Sequence, residues 1–239
     1  MEREYSDAYA KLHRRHWWFQ AREEVVLDAL RRHRPAGGWA GILDVGCGDG
    51  LLFDRLEEFG RVEGVEPDAA VIGARHRDRI YATPFDERFQ TGKQYSLILM
   101  LDVLEHLPDA HGALALAIKL LVPAGHLLVT VPAFPVLWTT HDDLNHHARR
   151  YTKASFRAAM NGAPLRILEE RYLFQSLFPA KLAVRAAERL FRLPARVPSI
   201  PPSWLNGAMR GYLRFEERVL RQARVPFGSS LLVMGQKAE

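Results

Sequence analysis

The sequence predicts an α/β fold, a doubly wound and mostly parallel sheet, on three observations. Short aliphatic and β-branched runs alternate with helical patterns over residues 42–131. A glycine-rich turn from Gly46 to Gly50 follows the first run and opens a helical pattern, and the second run ends on an acidic residue, Glu66. Strand, helix, strand repeated in this way needs crossover connections, so the strands run parallel and are buried on both faces. In such sheets ligands bind beyond the carboxyl ends of the strands, at the topological switch point, so the residues just after each strand are the candidates for chemistry.

Taken in order, residues 42–45, 62–66, 79–81, 95–101 and 125–131 read as strands, and residues 51–59, 68–76 and 110–121 read as the helices between them. Residues 165–173 and 230–235 read as two further strands, which makes seven. The stretch between those two, residues 174–227, is too long for a hairpin and carries two helical patterns, 179–193 and 204–224, joined by the proline-rich LPARVPSIPPS. No internal repeat or low-complexity tract interrupts the chain.

With 239 residues, 48% hydrophobic and 26% charged, the chain suits one globular domain spanning residues 1–239, with residues 1–35 as a helical N-terminal cover and 174–227 as a helical insert. A single cysteine, Cys47, excludes an internal disulfide framework. The charged, aromatic N-terminus lacks the apolar core of a signal peptide, and no uninterrupted apolar run reaches membrane-spanning length, so a cytoplasmic protein is expected. Residues 1–148 carry 16 Lys and Arg against 22 Asp and Glu, net −6, whereas residues 149–224 carry 16 against 5, net +11. That asymmetry points to an anionic substrate or surface near the C-terminal third.

The segment ILDVGCGDG, residues 42–50, follows a buried strand, and its glycines let the backbone turn tightly and approach a ligand closely. A dinucleotide-binding loop, GxGxxG, needs a glycine where Leu51 stands, and Asp44 ahead of the glycines is a poor neighbour for a pyrophosphate but a good one for a cation. Glu66, followed by Pro67 at the tip of the second strand, can accept hydrogen bonds from two ribose hydroxyls.

With these residues in this order, the sequence resembles the class I S-adenosylmethionine-dependent methyltransferases. The resemblance implies a Rossmann-like sheet of seven strands with the last antiparallel, and S-adenosylmethionine as cofactor. Residues 81–85, YATPF, stand where that family contacts adenine, which implicates Ala82 and Thr83. Residues 101–108, LDVLEHLP, match its motif after strand four, which lines the methionine end of the cofactor and the edge of the acceptor pocket and implicates Leu101, Asp102 and His106. Residues 16–22, HWWFQAR, resemble the WWFxxR opening of a bacterial subgroup in which an N-terminal helix covers the cofactor, with Arg22 placed to pair with the cofactor carboxylate. The expected cofactor contacts are thus Arg22, Asp44, Gly46, Cys47, Gly48, Glu66, Pro67, Ala82, Thr83, Leu101 and Asp102.

Methyl transfer to a hydroxyl calls for a base to remove its proton. The loop after strand five concentrates such groups and resembles the WxxHD...HxRRYT stretch of the same subgroup. His141 is the expected general base, with Asp142 or Asp143 orienting its ring or acting beside it, and His106 is a further catalytic candidate. The spacing of His141, Asp142, Asp143, His146 and His147 matches no zinc signature, so no metal is assigned.

In the insert, Lys181, Arg185, Arg189 and Arg192 recur at helical spacing, opposite Leu182, Ala186 and Leu190. The expected role of the insert is to pack and cover an acceptor pocket, with peripheral contact to an anionic membrane as a variant. The expected acceptor is a small-molecule, sugar or lipid-linked hydroxyl, with amine methylation or cofactor binding without catalysis as rivals. No RNA-binding module and no NPPY-like motif after strand four is present, so nucleic acid is not an expected partner. The sequence carries no reading of oligomeric state.

Overall fold

The computed structural model describes residues 11–192, 194, 199–223 and 225–238. Seven strands form one sheet: β1 (Trp39–Val45), β2 (Gly60–Val65), β3 (Ile80–Tyr81), β4 (Tyr95–Leu101), β5 (Leu121–Pro132), β6 (Leu165–Leu173) and β7 (Ser230–Lys237). Their order across the sheet is β3-β2-β1-β4-β5-β7-β6. All neighbouring pairs are parallel except β7, which runs antiparallel to both β5 and β6. Chain order reverses between β1 and β4, which makes the crevice beyond those two strands the ligand position of an open α/β sheet.

Strand alternation sends successive side chains to opposite faces. Leu43, Val45, Ile98, Met100, Leu127 and Val129 form one core, covered by helix α3 (Ala110–Leu120). This helix buries Ala110, Ala113, Leu114, Ala117 and Ile118 at the spacing of one helical face, and its first turn is capped by Asp109, whose Oδ1 accepts the Gly112 N–H at 2.8 Å. Ile42, Val62, Leu97, Leu99 and Leu128 face the other way, against helix α1 (Trp17–His33) and the short α2 (Phe53–Leu56).

Two predicted helices shrink. Residues 51–59 keep only the four residues of α2, and residues 68–76 form turns that lead into a single 3₁₀ turn, Arg77–Arg79. In the second stretch Asp68 Oδ1 accepts the Ala70 N–H at 3.0 Å, a local turn that competes with helix. Only Ile72 and His76 there are buried, too narrow a stripe to offset the cost of nucleation.

After β5 the chain makes two short helices, α4 (Thr140–Leu144) and α5 (Lys153–Ala159), before β6. The stretch between β6 and β7 carries α6 (Leu177–Phe191) and α7 (Ser203–Leu220); the ends predicted at Leu193 and Arg224 lie outside the described residues. Helix α7 packs on the N-terminal helix: Trp17 N–H donates to Asn206 Oδ1 at 2.8 Å, and Arg214 Nε pairs with Glu24 at 2.9 Å. Helix α6 is turned differently from the face read in the sequence. Lys181 joins Ala180, Val184 and Ala187 in facing the central cavity, while Leu190 and Phe191 are 75% and 67% exposed. Among the described residues, no helix is long and apolar enough to cross a membrane.

Glu169 on β6 ties these layers together, accepting from Arg32 at 2.9 Å and bonding His33 at 2.8 Å from α1, while Arg171 joins it to Glu217 of α7. Burial works against the charge on Glu169, but the bonds from Arg171 and His33, with Arg32 beside them, outweigh it and draw its carboxyl down to about 2. A folded pKa below the unfolded value of about 4.3 gives stability that is complete above that value and lost as pH falls through about 2. Urea titrations from pH 6 to 2 are therefore expected to show a shallower acid decline for Glu169→Gln than for the parent, by about 3 kcal/mol at most. Parallel declines would refute the clamp.

Candidate active site

A cavity of about 1590 Å³ opens where the topology places it, lined by residues from the ends of β1, β2 and β4, by α1 on one side and by α4 and α6 on another. Ordinary ligand pockets occupy about 300–1,000 Å³, so this one has room for two ligands.

The glycine turn forms its floor. Gly46 sits at φ +72°, where an added Cβ would also lie 2.7 Å from Val103, so both conformation and space require glycine. At Gly48 the space above Cα is open. Glu66 holds the turn in place: its Oε2 accepts the Gly48 N–H and its Oε1 the Asp68 N–H, each at 3.0 Å. Each oxygen keeps a further lone pair for a ligand hydroxyl. Asp44 is 4% exposed, and burial followed by the nearby Glu66 charge pushes its carboxyl up to about 7 against the pull of Arg22. A ligand bearing positive charge offsets both effects, which is the preference read from its place ahead of the glycines. Cys47, Pro67 and Leu101 also reach the wall. Ala82 and Thr83 do not; from that segment Phe85 lines the cavity instead.

Asp102, just past β4, is held in the left-handed region at φ +55°, a conformation uncommon outside glycine. Its N–H donates to Thr130 O at 2.8 Å, and its Oδ1 accepts from Thr130 Oγ1 at 3.0 Å. Its other oxygen pairs with Arg22, whose guanidinium lies 4.9 Å from the Trp18 ring centre and 5.6 Å from that of Phe19. The aromatic opening of α1 thus carries an arginine to the end of β4 and walls the cavity with Trp17 and Trp18.

The loop after β5 lines the same cavity. His141 lines the cavity, and burial followed by the charge of Lys181 pushes its ring down to about 4, which keeps it neutral. Its Nε2 lies 3.1 Å from Asn145 Nδ2, and its Nδ1 is buried without a hydrogen-bond partner among the described residues. Lys181 faces the same space and is itself drawn down to about 8, by burial and then by Arg150. Glu188 of α6 accepts both the N–H and the hydroxyl of Thr140, at 3.0 and 2.9 Å, which closes the insert onto the loop.

The expectation for Asp142 needs correction. Its side chain is fully buried and outside the cavity wall, and its carboxylate is engaged by Arg150 Nε and Nη2 at 2.8 and 2.9 Å, by His147 Nδ1 at 2.8 Å and by the Thr139 N–H at 2.9 Å. No lone pair is left to orient His141; Asn145 occupies that place. Asp143 turns outward to accept from the Trp138 indole at 2.9 Å. His106 reaches the cavity with its ring edge-on to His147, centroids 4.8 Å apart. Sequence reasoning passed over Glu105, Arg150 and Lys181. Glu105 adjoins His106, Arg150 lies in the HxRRYT stretch, and Lys181 reads in the sequence as one of a basic series along a helix.

Comparison with known proteins agrees with this geometry. The family described as a methyltransferase domain matches residues 9–170. The ubiquinone biosynthesis O-methyltransferase of Vibrio atlanticus is 32% identical over 96 residues, covering 36% of this chain and 40% of that protein. The protein of the same name from Acinetobacter baumannii is 30% identical over 130 residues, covering 46% of this chain and 55% of that one. The chain thus spans about half or less of the length of these curated relatives. Among solved structures, N-methyltransferase NodS from Bradyrhizobium japonicum in complex with S-adenosyl-l-homocysteine superposes with a TM-score of 0.56 at 16% identity, over 96% of this chain and 91% of that one. A chain from the Haloferax volcanii complex of Trm112 activator and putative methyltransferase gives 0.60 at 19%, over 98% and 96%. Identities this low speak for the fold alone.

Sheet order, glycine turn and family match define one class, the S-adenosylmethionine-dependent methyltransferases of Rossmann-like fold. The chain belongs to the methyltransferase-domain family.

Proposed function

We propose that the protein methylates a hydroxyl of a small or lipid-linked acceptor, with His141 receiving the hydroxyl proton. The observation that carries this reading is one cavity lined both by a glycine turn with acidic groups and by a neutral, partly buried histidine. The relatives named O-methyltransferases support the hydroxyl over other acceptors.

S-adenosylmethionine supplies a methyl group on a cationic sulfur. Glu66, Gly46, Gly48 and Asp44 hold the cofactor in this reading, with Asp102 and Arg22 at the end of β4 and the α1 aromatics excluding water. On the acceptor side Leu177, Ala180, Val184 and Ala187 offer an apolar wall, so residues 174–227 serve as the acceptor cover and residues 1–35 as the cofactor cover. Asn145 Nδ2 donates to His141 O at 2.7 Å and stands 3.1 Å from Nε2, which holds the ring of the base in place.

Calorimetric titration tests the cofactor half. S-adenosylmethionine and its demethylated product should bind and NAD should not. Glu66→Ala should weaken binding by roughly 1.5–3 kcal/mol for each charged hydrogen bond removed. Glu66→Gln keeps one of the two acceptor oxygens and should lose less. A preference for NAD, or unchanged affinity in Glu66→Ala, would overturn this assignment.

A further inference from the structure

We propose that Glu105, His106 and His147 form a binding site for a divalent ion of the zinc class, in the wall of the central cavity. One ligand atom from each lies within 4.8 Å of the others. The two loops that carry them are pinned together by the Ala148 N–H, which donates to Glu105 O at 2.7 Å.

Three features suit a metal. First, Glu105 is 1% exposed, and neither carboxylate oxygen has a hydrogen-bond partner in another of the described residues. A buried carboxylate left so is costly, and coordination removes the cost. Second, His147 Nδ1 is held by Asp142 Oδ1 at 2.8 Å, which leaves Nε2 with its lone pair outward. A histidine oriented by a carboxylate in this way is the usual second layer of a metal site. Third, the His106 ring stands edge-on to that of His147, centroids 4.8 Å apart, with one of its nitrogens within reach of the other two ligand atoms. Asp142, anchored by Arg150, is thereby a positioning residue for the ion's ligand.

Two imidazoles and one carboxylate are the donor set of zinc sites that keep an open position, and they suit zinc, cobalt or nickel rather than magnesium or calcium. Bond lengths of about 2.0–2.1 Å place tetrahedral ligand atoms about 3.3 Å apart, so closure needs about 1.5 Å of side-chain movement at most. All three residues line the cavity, so the fourth position faces it. On the hydroxyl-methylation reading, that position takes an acceptor oxygen and lowers its pKa. The ligands come from loops 41 residues apart, which is why no linear spacing announces them.

The test uses chelator-treated full-length protein without cofactor or acceptor, so it stands or falls apart from the methyl-transfer reading. Co²⁺ titration should give visible absorption of a low-coordinate ion saturating at one equivalent, displaced by Zn²⁺. Glu105→Gln and His106→Ala should each weaken Co²⁺ binding by at least 10-fold while far-UV circular dichroism and S-adenosylhomocysteine affinity persist. His106 is on the exposed side, so its variant serves if Glu105→Gln misfolds. A spectrum that stays that of aqueous Co²⁺, or binding undiminished in the folded variants, overturns the site.

Discussion

Replacing Arg150 with Met is expected to destabilise the folded protein by about 3–5 kcal/mol, the range for removing one partner of a buried ion pair. Arg150 is 5% exposed and Asp142 fully buried, and two of the guanidinium's donors meet both oxygens of the carboxylate. A third donates to Ala133 O at 3.0 Å, so the arginine also fastens the end of β5 to the loop that carries His141. Without it, Asp142 keeps only His147 and the Thr139 cap, and a desolvated negative charge is left undercompensated. Urea unfolding of the single variants and of Asp142→Asn with Arg150→Met gives a double-mutant cycle. The double variant should be less damaged than the sum of the singles, because removing both charges abolishes the penalty that removing one creates. A loss below about 1 kcal/mol in Arg150→Met would mean that the pair behaves as a solvated surface bridge.

That pair also shows where sequence reasoning stops. Alternating strands and helices, the glycine turn with its acidic partner Glu66, and the late strands β6 and β7 are legible because each depends on local pattern: apolar runs, positive φ, a carboxylate at a strand tip. The face that α6 turns to the cavity is not. Both of its stripes, Leu182 with Ala186 and Leu190, and Ala180 with Val184 and Ala187, have helical spacing, and only the neighbouring loop decides between them. Glu188 bonding Thr140 sets Ala180, Val184 and Ala187 along the cavity and leaves Leu190 and Phe191 outside. Asp142 beside His141 reads as a catalytic pair in one dimension. On α4 adjacent side chains diverge by about 100°, so one meets the cavity and the other the buried Arg150. Glu105 is the same lesson in reverse: its partners are remote in sequence, and its burial has no signature at all.

His141→Ala is expected to lower turnover by roughly 100-fold or more while leaving cofactor affinity within about twofold, the signature of losing a general base rather than a binding group. His141 lines the cavity from the loop after β5, not from the strand ends that carry Gly46, Gly48 and Glu66, and belongs to a helix held by its own capping box of Thr139 and Asp142. Removing the imidazole therefore leaves both the cofactor wall and the loop intact. Its ring stays neutral at ordinary pH, so it is ready to receive a proton without first losing one. The same depression toward about 4 makes it a weak base, which fits an acceptor hydroxyl already acidic by its own chemistry or through the metal position argued above. Asn145→Ala should fall in the same direction by less, since the ring remains but loses the contact to Nε2. The assay follows labelled methyl from S-adenosylmethionine into an acceptor drawn from fractionated cell extract, with cofactor affinity measured separately by calorimetry. Turnover that survives in His141→Ala would remove the histidine base and favour an amine acceptor, whose lone pair needs no proton taken from it before attack.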